Sequence, residues 1–332
     1  MTNPGFSSTS TLRLFVIGVG RSGTSLVQGM LDAHPSIFFP PETSMLRRYI
    51  ASGVIDRWIQ NDDPSHISSQ LVLDKRLQRL GRQTLERLQR AAQDPQVSAK
   101  QLYEIATGPQ RSSPSITYLG DKDPRLSEHL PLIKCMWPSA HIVHVVRDPR
   151  DVLASKKLAE WSKSRRASVH AIIGAMQRRL ALREGPRLFG SAFHQVSYES
   201  LLADPEAELK RLCQGLSIDY DDAMLHDFAP ASERLVASEE RPWKGNVLGP
   251  LISDNVGKWH QQLTPAERIM IEATHERAWM ISSASSPEPK LRFHQLGSLW
   301  IAAALLRPLI WVLVGLLSLK RRWQRLRRCR WT

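Results

Sequence analysis

The stretch "VIGVGRSGTS" (residues 16–25) sets three glycines and one arginine between an apolar run and two hydroxyl side chains. Such a composition can hold an anion, because backbone N–H groups and a helix N-terminus donate while a guanidinium supplies charge. Gly18, Gly20 and Gly23 fit the G-x-G-x-x-G spacing of a dinucleotide-binding turn. Gly18 to Ser25 also fit the phosphate loop G-x-x-x-x-G-K-[ST], but Thr24 stands where the lysine belongs. Arg21 is the cation that remains. The dinucleotide reading needs an acid about 20 residues on. Glu42 has that spacing but follows Pro40-Pro41, poor material for the end of a ribose-binding strand. The nucleoside-triphosphate reading lacks its lysine and also a convincing strand ending in a magnesium-holding aspartate.

The loop resembles the 5′-phosphosulfate loop of sulfotransferases that use 3′-phosphoadenosine 5′-phosphosulfate (PAPS). Its arginine form is nearer the tyrosylprotein and carbohydrate branches than the cytosolic small-molecule branch, which carries lysine. Four further stretches match in order: "MLDAHPSIFFPPETS", "DKDPR" (121–125), "VVRDPRDVLAS", and "VSYESLLADP" followed by "VGKW". The resemblance runs from about residue 14 to 280. It implies that Arg21, with Ser22, Gly23, Thr24, Ser25 and Leu26, holds the 5′-phosphosulfate. Arg147 and Ser155 would grip the 3′-phosphate, Tyr198 would lie near the adenine, and Lys258 would add a contact.

For chemistry, the resemblance makes Glu42 the base that deprotonates an acceptor hydroxyl, and Lys122 and Arg21 the stabilisers of the leaving group. The physics agrees, since sulfuryl transfer, like phosphoryl transfer, rests on positioning and on cations that meet developing negative charge. His34 is a rival base, although His-Pro directly after a helix is also a structural stop. Where the family segment carries two acids and a following arginine, this chain reads Pro41-Glu42-Thr43-Ser44. Arg147 could instead pair with Asp151, and Lys122 with Asp121 or Asp123. No metal is implied or required. The acceptor is a hydroxyl on a carbohydrate, a lipid-linked or glycolipid group, or a peptide tyrosine. A nucleotide-dependent kinase and a non-catalytic membrane-bound nucleotide-binding adaptor are the alternatives.

These residues need a frame. "LRLFVIG" (12–18) predicts a buried strand, Thr24 to Ala33 a helix, Ile142 to Val146 a second strand with Pro149 opening the next helix, and 192–198 a third. Alternation of this kind predicts an α/β fold of the P-loop NTPase-like, three-layer type with a central, mainly parallel sheet. Residues 1–281 form the catalytic domain, with a helical insert at 44–118. Within the insert, "LDKRLQRLGRQTLERLQRAA" predicts a helix with Leu77, Leu80, Leu85 and Leu88 on one stripe. Its arginines are either a solvated face or a wall of the acceptor site.

The C-terminus differs in kind. A Ser/Pro linker (282–295) leads to an apolar segment, 296–319, and a polybasic tail, 320–332. The 332-residue chain carries a net charge of +13, and the seven cations of the tail account for all but +6 of it. Such an excess suits anionic ligands; no nucleic-acid partner is expected. The segment is long enough for a helix of about 36 Å, against a bilayer core of about 30 Å. With no evident signal sequence and a basic tail, both flanks belong on the cytoplasmic side. The expected arrangement is therefore a helix broken at Pro308 that dips into the cytoplasmic face of a membrane, with a single span as the alternative. The three cysteines, 135, 213 and 329, show neither metal spacing nor a disulfide framework.

Overall fold

Strand β1 (Leu12–Gly18) runs through the middle of the molecule, with Leu14, Phe15, Val16 and Ile17 wholly buried. Because side chains alternate across a strand, Phe15 and Ile17 enter one core while Leu14 and Val16 enter another on the opposite face. A strand covered on both faces reads as a continuous apolar run, which is why the sequence exposes it so clearly. The computed structural model describes residues 11–60, 64–94, 96–110, 115–159, 166–276 and 293–328.

After β1 come helix α1 (Thr24–Asp32) and a two-residue strand, β2 (Ile37–Phe38). Within the insert lie α2 (Lys75–Gln78) and α3 (Arg82–Ala92), among other helices. The predicted single helix here is two, because the chain turns at Gly81 with φ +81°. The leucine stripe survives the break: Leu77, Leu80 and Leu88 are buried, and Leu85 packs against the same core. Strands β3 (Tyr118–Lys122), β4 (His141–Val146) and β5 (Phe193–Ser197) complete a five-stranded sheet ordered β2-β3-β1-β4-β5, with every pairing parallel. Helix α4 (Pro149–Leu158) follows β4, α5 (Ala167–Phe189) crosses back, and α6 (Tyr198–Ala203) follows β5.

Connections from β1 lead to one side of the sheet, and those from β4 to the other. The carboxyl ends of these two neighbours, paired as Gly18 with Val145, therefore open the crevice where α/β sheets bind ligands.

Helix α7 (Pro265–Thr274) packs on α5, and the last helix, α8 (Phe293–Arg328), packs on both. The expected break at Pro308 is absent: α8 runs through it. The predicted linker ends earlier than expected, since α8 begins at Phe293; residues 282–292 and 329–332 lie outside the described residues. Among the described residues no helix is long and apolar enough to cross a membrane. One side of α8 is committed to protein. Ile310 and Val314 are fully buried against Ala175 and Leu180, and Arg307 donates to the Glu272, Ala273 and His275 carbonyls at the end of α7. Cys213 is a free, buried thiol, while Cys135 is disulfide-bonded, contrary to the expectation from cysteine spacing.

Candidate active site

The loop after β1 turns between Val19 and Ser22, closed by a 2.9 Å hydrogen bond from the Ser22 N–H to the Val19 carbonyl. Arg21 takes the third position of this turn with φ 79°, a conformation that ordinarily selects glycine. Holding a β-carbon there costs about 1–2 kcal/mol, so strain is stored at the residue that carries the loop's charge. Gly18 has no such freedom to give up. A Cβ on it would fall 2.6 Å from Ser22 Oγ and 2.8 Å from the Val145 carbonyl. Gly23, at φ +99°, ends the loop, and a Cβ there would run into the Tyr198 ring. Helix α1 then starts with the N–H groups of Thr24 and Ser25 in its first turn, where no carbonyl lies four residues back.

A cavity of about 770 Å³ opens above this loop, within the range usual for small-molecule sites. Gly23, Thr24, Ser25, Leu26, Arg21, Glu42, Lys122, Arg147, Ser155, Tyr198 and Lys258 all line it. Sequence positions more than 200 residues apart thus meet in one place.

Ser22 is the exception. Its N–H is spent on Val19, and its hydroxyl turns to the rear of the loop, into a small enclosed void with His144, where it has no hydrogen-bond partner. The turn that presents Arg21 faces Ser22 away from the cavity.

At one end of the cavity Arg21 donates to Ser155 Oγ at 3.1 Å and to the Trp243 carbonyl at 2.5 Å. Arg147 donates to the Arg21 carbonyl at 3.3 Å and the Asn255 carbonyl at 2.7 Å, and its guanidinium lies 4.3 Å from the Tyr198 ring centre. Burial, and then the Arg147 charge, lower the pKa of Arg21. Two guanidiniums share this end, and the Nε of Arg147 is buried with no hydrogen-bond partner. An orphaned buried donor calls for an explanation, and an anion is one that satisfies both arginines.

Asp151 does not pair with Arg147. Its carboxylate accepts from the Gly257 N–H at 2.7 Å and the Trp259 N–H at 3.0 Å, which ties the "VGKW" turn to α4. Tyr198 accepts a 2.7 Å hydrogen bond from Asn255, and Lys258 is exposed at the rim.

At the other end Glu42 is ion-paired with Lys122, at the close of β3, and with Lys244 at 3.2 Å. Burial alone would raise the Glu42 carboxyl. The two ammoniums more than offset it and hold its pKa well below the usual glutamate range. Burial lowers the pKa of Lys122, with Lys244 adding to the effect, despite the Glu42 charge. Lys122 pairs with neither neighbour: Asp121 accepts from Tyr103 and Asp123 from Arg47. His34 is not at this site. Its Nδ1 accepts from the Ser36 N–H in the chain reversal after α1 and its Nε2 bonds the distant Asp219 carbonyl, so both nitrogens are spent away from the cavity.

Sequence reading missed Trp243 and Lys244, both in the short helix Arg241–Lys244, and Asn255. The one signal for Trp243 and Lys244 was the Pro/Gly/Asn-rich run "RPWKGNVLGP", a composition that marks a loop without saying what it covers. The wall beside Glu42 carries Arg47, Arg76, Arg79 and Arg125. Arg76 reaches Ser44 Oγ at 3.2 Å, bringing an arginine from the insert to the segment that lacks one of its own. The insert's arginines thus divide, with Arg76 and Arg79 facing the cavity and Arg82 fully exposed beside Glu86.

The description "Sulfotransferase family" belongs to the family model that matches residues 13–222. Protein-tyrosine sulfotransferase 1 of Danio rerio is 28% identical over 270 residues, covering 74% of this chain and 65% of its own length. Protein-tyrosine sulfotransferase A of Caenorhabditis elegans is 24% identical over 275 residues, covering 78% and 63%. The chain therefore spans a little under two-thirds of these relatives. Among solved structures, the sulfotransferase domain from the curacin biosynthetic pathway aligns with a TM-score of 0.55 at 19% identity, over 80% of this chain and 98% of that domain. It shares the fold. The family match covers β1, the glycine loop, Glu42, Lys122, the Arg147–Ser155 segment and Tyr198, well over half of the chain, and on that ground the protein belongs to the sulfotransferase family.

Proposed function

We propose that the protein transfers a sulfuryl group from PAPS to a hydroxyl acceptor. The observation that carries this reading is the two-ended cavity, with paired guanidiniums and a serine at one end and a lysine-held carboxylate at the other. Arg21 and the first-turn amides of α1 would hold the 5′-phosphosulfate. Arg147 and Ser155 would hold the 3′-phosphate, and Tyr198 and Lys258 would close on the nucleotide. The orphaned Arg147 Nε and the strained Arg21 both fit a polyanionic donor substrate.

Glu42 takes the acceptor's proton as the hydroxyl oxygen bonds to sulfur and the sulfur–oxygen bond to the leaving phosphate breaks. Lys122 meets the charge that grows on that phosphate. Lys244 has a further part in this scheme: while it remains on Glu42 the carboxylate is a weak base, and an incoming anion that draws the ammonium away strengthens it. Tyrosine hydroxyls are the acceptor class favoured by the names of the relatives; lipid-linked and carbohydrate hydroxyls are further candidates.

Binding of 3′-phosphoadenosine 5′-phosphate against ADP tests the donor assignment. Arg147→Ala is expected to weaken the first by about 10–100-fold, from the loss of hydrogen bonds to a charged group, and to leave ADP almost unchanged. Equal losses for both nucleotides would favour a kinase-like site, and binding without transfer to any acceptor would favour the adaptor.

Lys244→Ala has a distinct pH signature. Removing one of two cations raises the Glu42 pKa, so the acidic limb of the kcat/KM profile is expected to move to higher pH. An unmoved limb would separate Lys244 from the base.

A further inference from the structure

Eight of the twelve large hydrophobic side chains exposed among the described residues belong to α8. Ile301, Leu305, Leu309, Val312, Leu316 and Leu319 follow one another at steps of three or four residues, which places them within an arc of about 80° at 100° per residue. Leu305 is 70% exposed, whereas Ile310 and Val314, on the opposite side, are fully buried against the body. The helix is thus apolar on both sides, and only one side has protein to cover it.

We propose that the outer face of α8 lies in the interfacial layer of an anionic lipid surface. Three observations select lipid. Arg307 is the one charged residue in 296–319, and it is turned inward onto the carbonyls at the end of α7, so no charge interrupts the outer face. The same helix continues to Arg328 through six of the seven cations of the basic tail, which matches the charge of phosphate headgroups. Residues 293–328 contain no aspartate or glutamate, so a second copy of this helix would bring cations with no acid to meet them. The inner contacts keep α8 on the body, which makes it a helix that lies along the surface. This placement stands on its own and does not depend on the reaction proposed above.

The test is flotation of the full chain with vesicles of phosphatidylcholine alone and of phosphatidylcholine with phosphatidylglycerol. The chain is expected to float with the anionic vesicles, less so in high salt. Changing Arg325, Arg327 and Arg328 to Gln is expected to weaken partition about five-fold for each cation removed. The double change Leu305→Glu and Leu316→Glu is expected to weaken it at least about ten-fold per residue. Both positions are exposed, so the melting temperature should hold, and the tail variant supplies a second reading if it does not. Absence of flotation with either vesicle, or partition indifferent to both sets of changes, overturns the proposal. A dimer in solution that the leucine changes convert to monomer overturns it too, in favour of a second copy.

Discussion

Glu42→Gln is expected to slow sulfuryl transfer by about 10²–10⁴-fold, the usual worth of a positioned general base, while the affinity for 3′-phosphoadenosine 5′-phosphate stays within a few-fold. Glutamine keeps the volume and can still accept a hydrogen bond from Lys122, but it cannot take a proton. The measurement is a transfer assay with labelled PAPS and a tyrosine peptide, paired with nucleotide binding by calorimetry. Turnover near that of the unaltered chain would remove Glu42 from the base role. His34 offers no substitute, since its two nitrogens are already engaged away from the cavity.

The second large effect is at Arg21. Loss of one preorganised donor aimed at developing charge costs about 10²–10³-fold in kcat, so Arg21→Ala and Arg21→Gly are both expected to fall by at least that much. The two variants part company in stability. At φ 79° alanine keeps the strain and glycine relieves it, so Arg21→Gly is expected to be about 1 kcal/mol more stable than Arg21→Ala. Denaturant melts of the pair check this. If both variants kept full turnover, the loop would not be the donor site.

The glycine loop, β1, α1 and α4 were legible because each obeys a local rule: an unbroken apolar strand, a glycine-spaced turn before a helix start, and proline at a helix start. Glu42, Lys122, Arg147, Ser155 and Tyr198 were found by resemblance to a family, and the fold brought them to one cavity. Three things were not legible. Strands β2 and β3 are too short to show a period, and β3 ends in the charged Asp121-Lys122, which only tertiary partners make tolerable. Ser22 fits the motif, yet its direction depends on a turn that forms around its neighbour. Lys244 comes from a short helix 202 residues beyond Glu42, and no pattern in the sequence links the two. The C-terminal segment misled in a different way. It suggests a break at Pro308, whereas the helix runs through that residue and Arg307 beside it caps α7, which leaves the apolar face whole.

Arg21 spends one donor on the carbonyl of Trp243, the residue just before Lys244. A donor substrate that takes the guanidinium edge now spent on Trp243 would release the strap that carries the second lysine on Glu42. On the proposed assignment, the two substrates then enter in sequence: the sulfuryl donor first, loosening the strap, and the hydroxyl afterwards, meeting a carboxylate that has shed one of its two cations. Any base strength acquired this way appears only when there is something to transfer. Donor affinity on this assignment would be net of the work of lifting Trp243 from the loop.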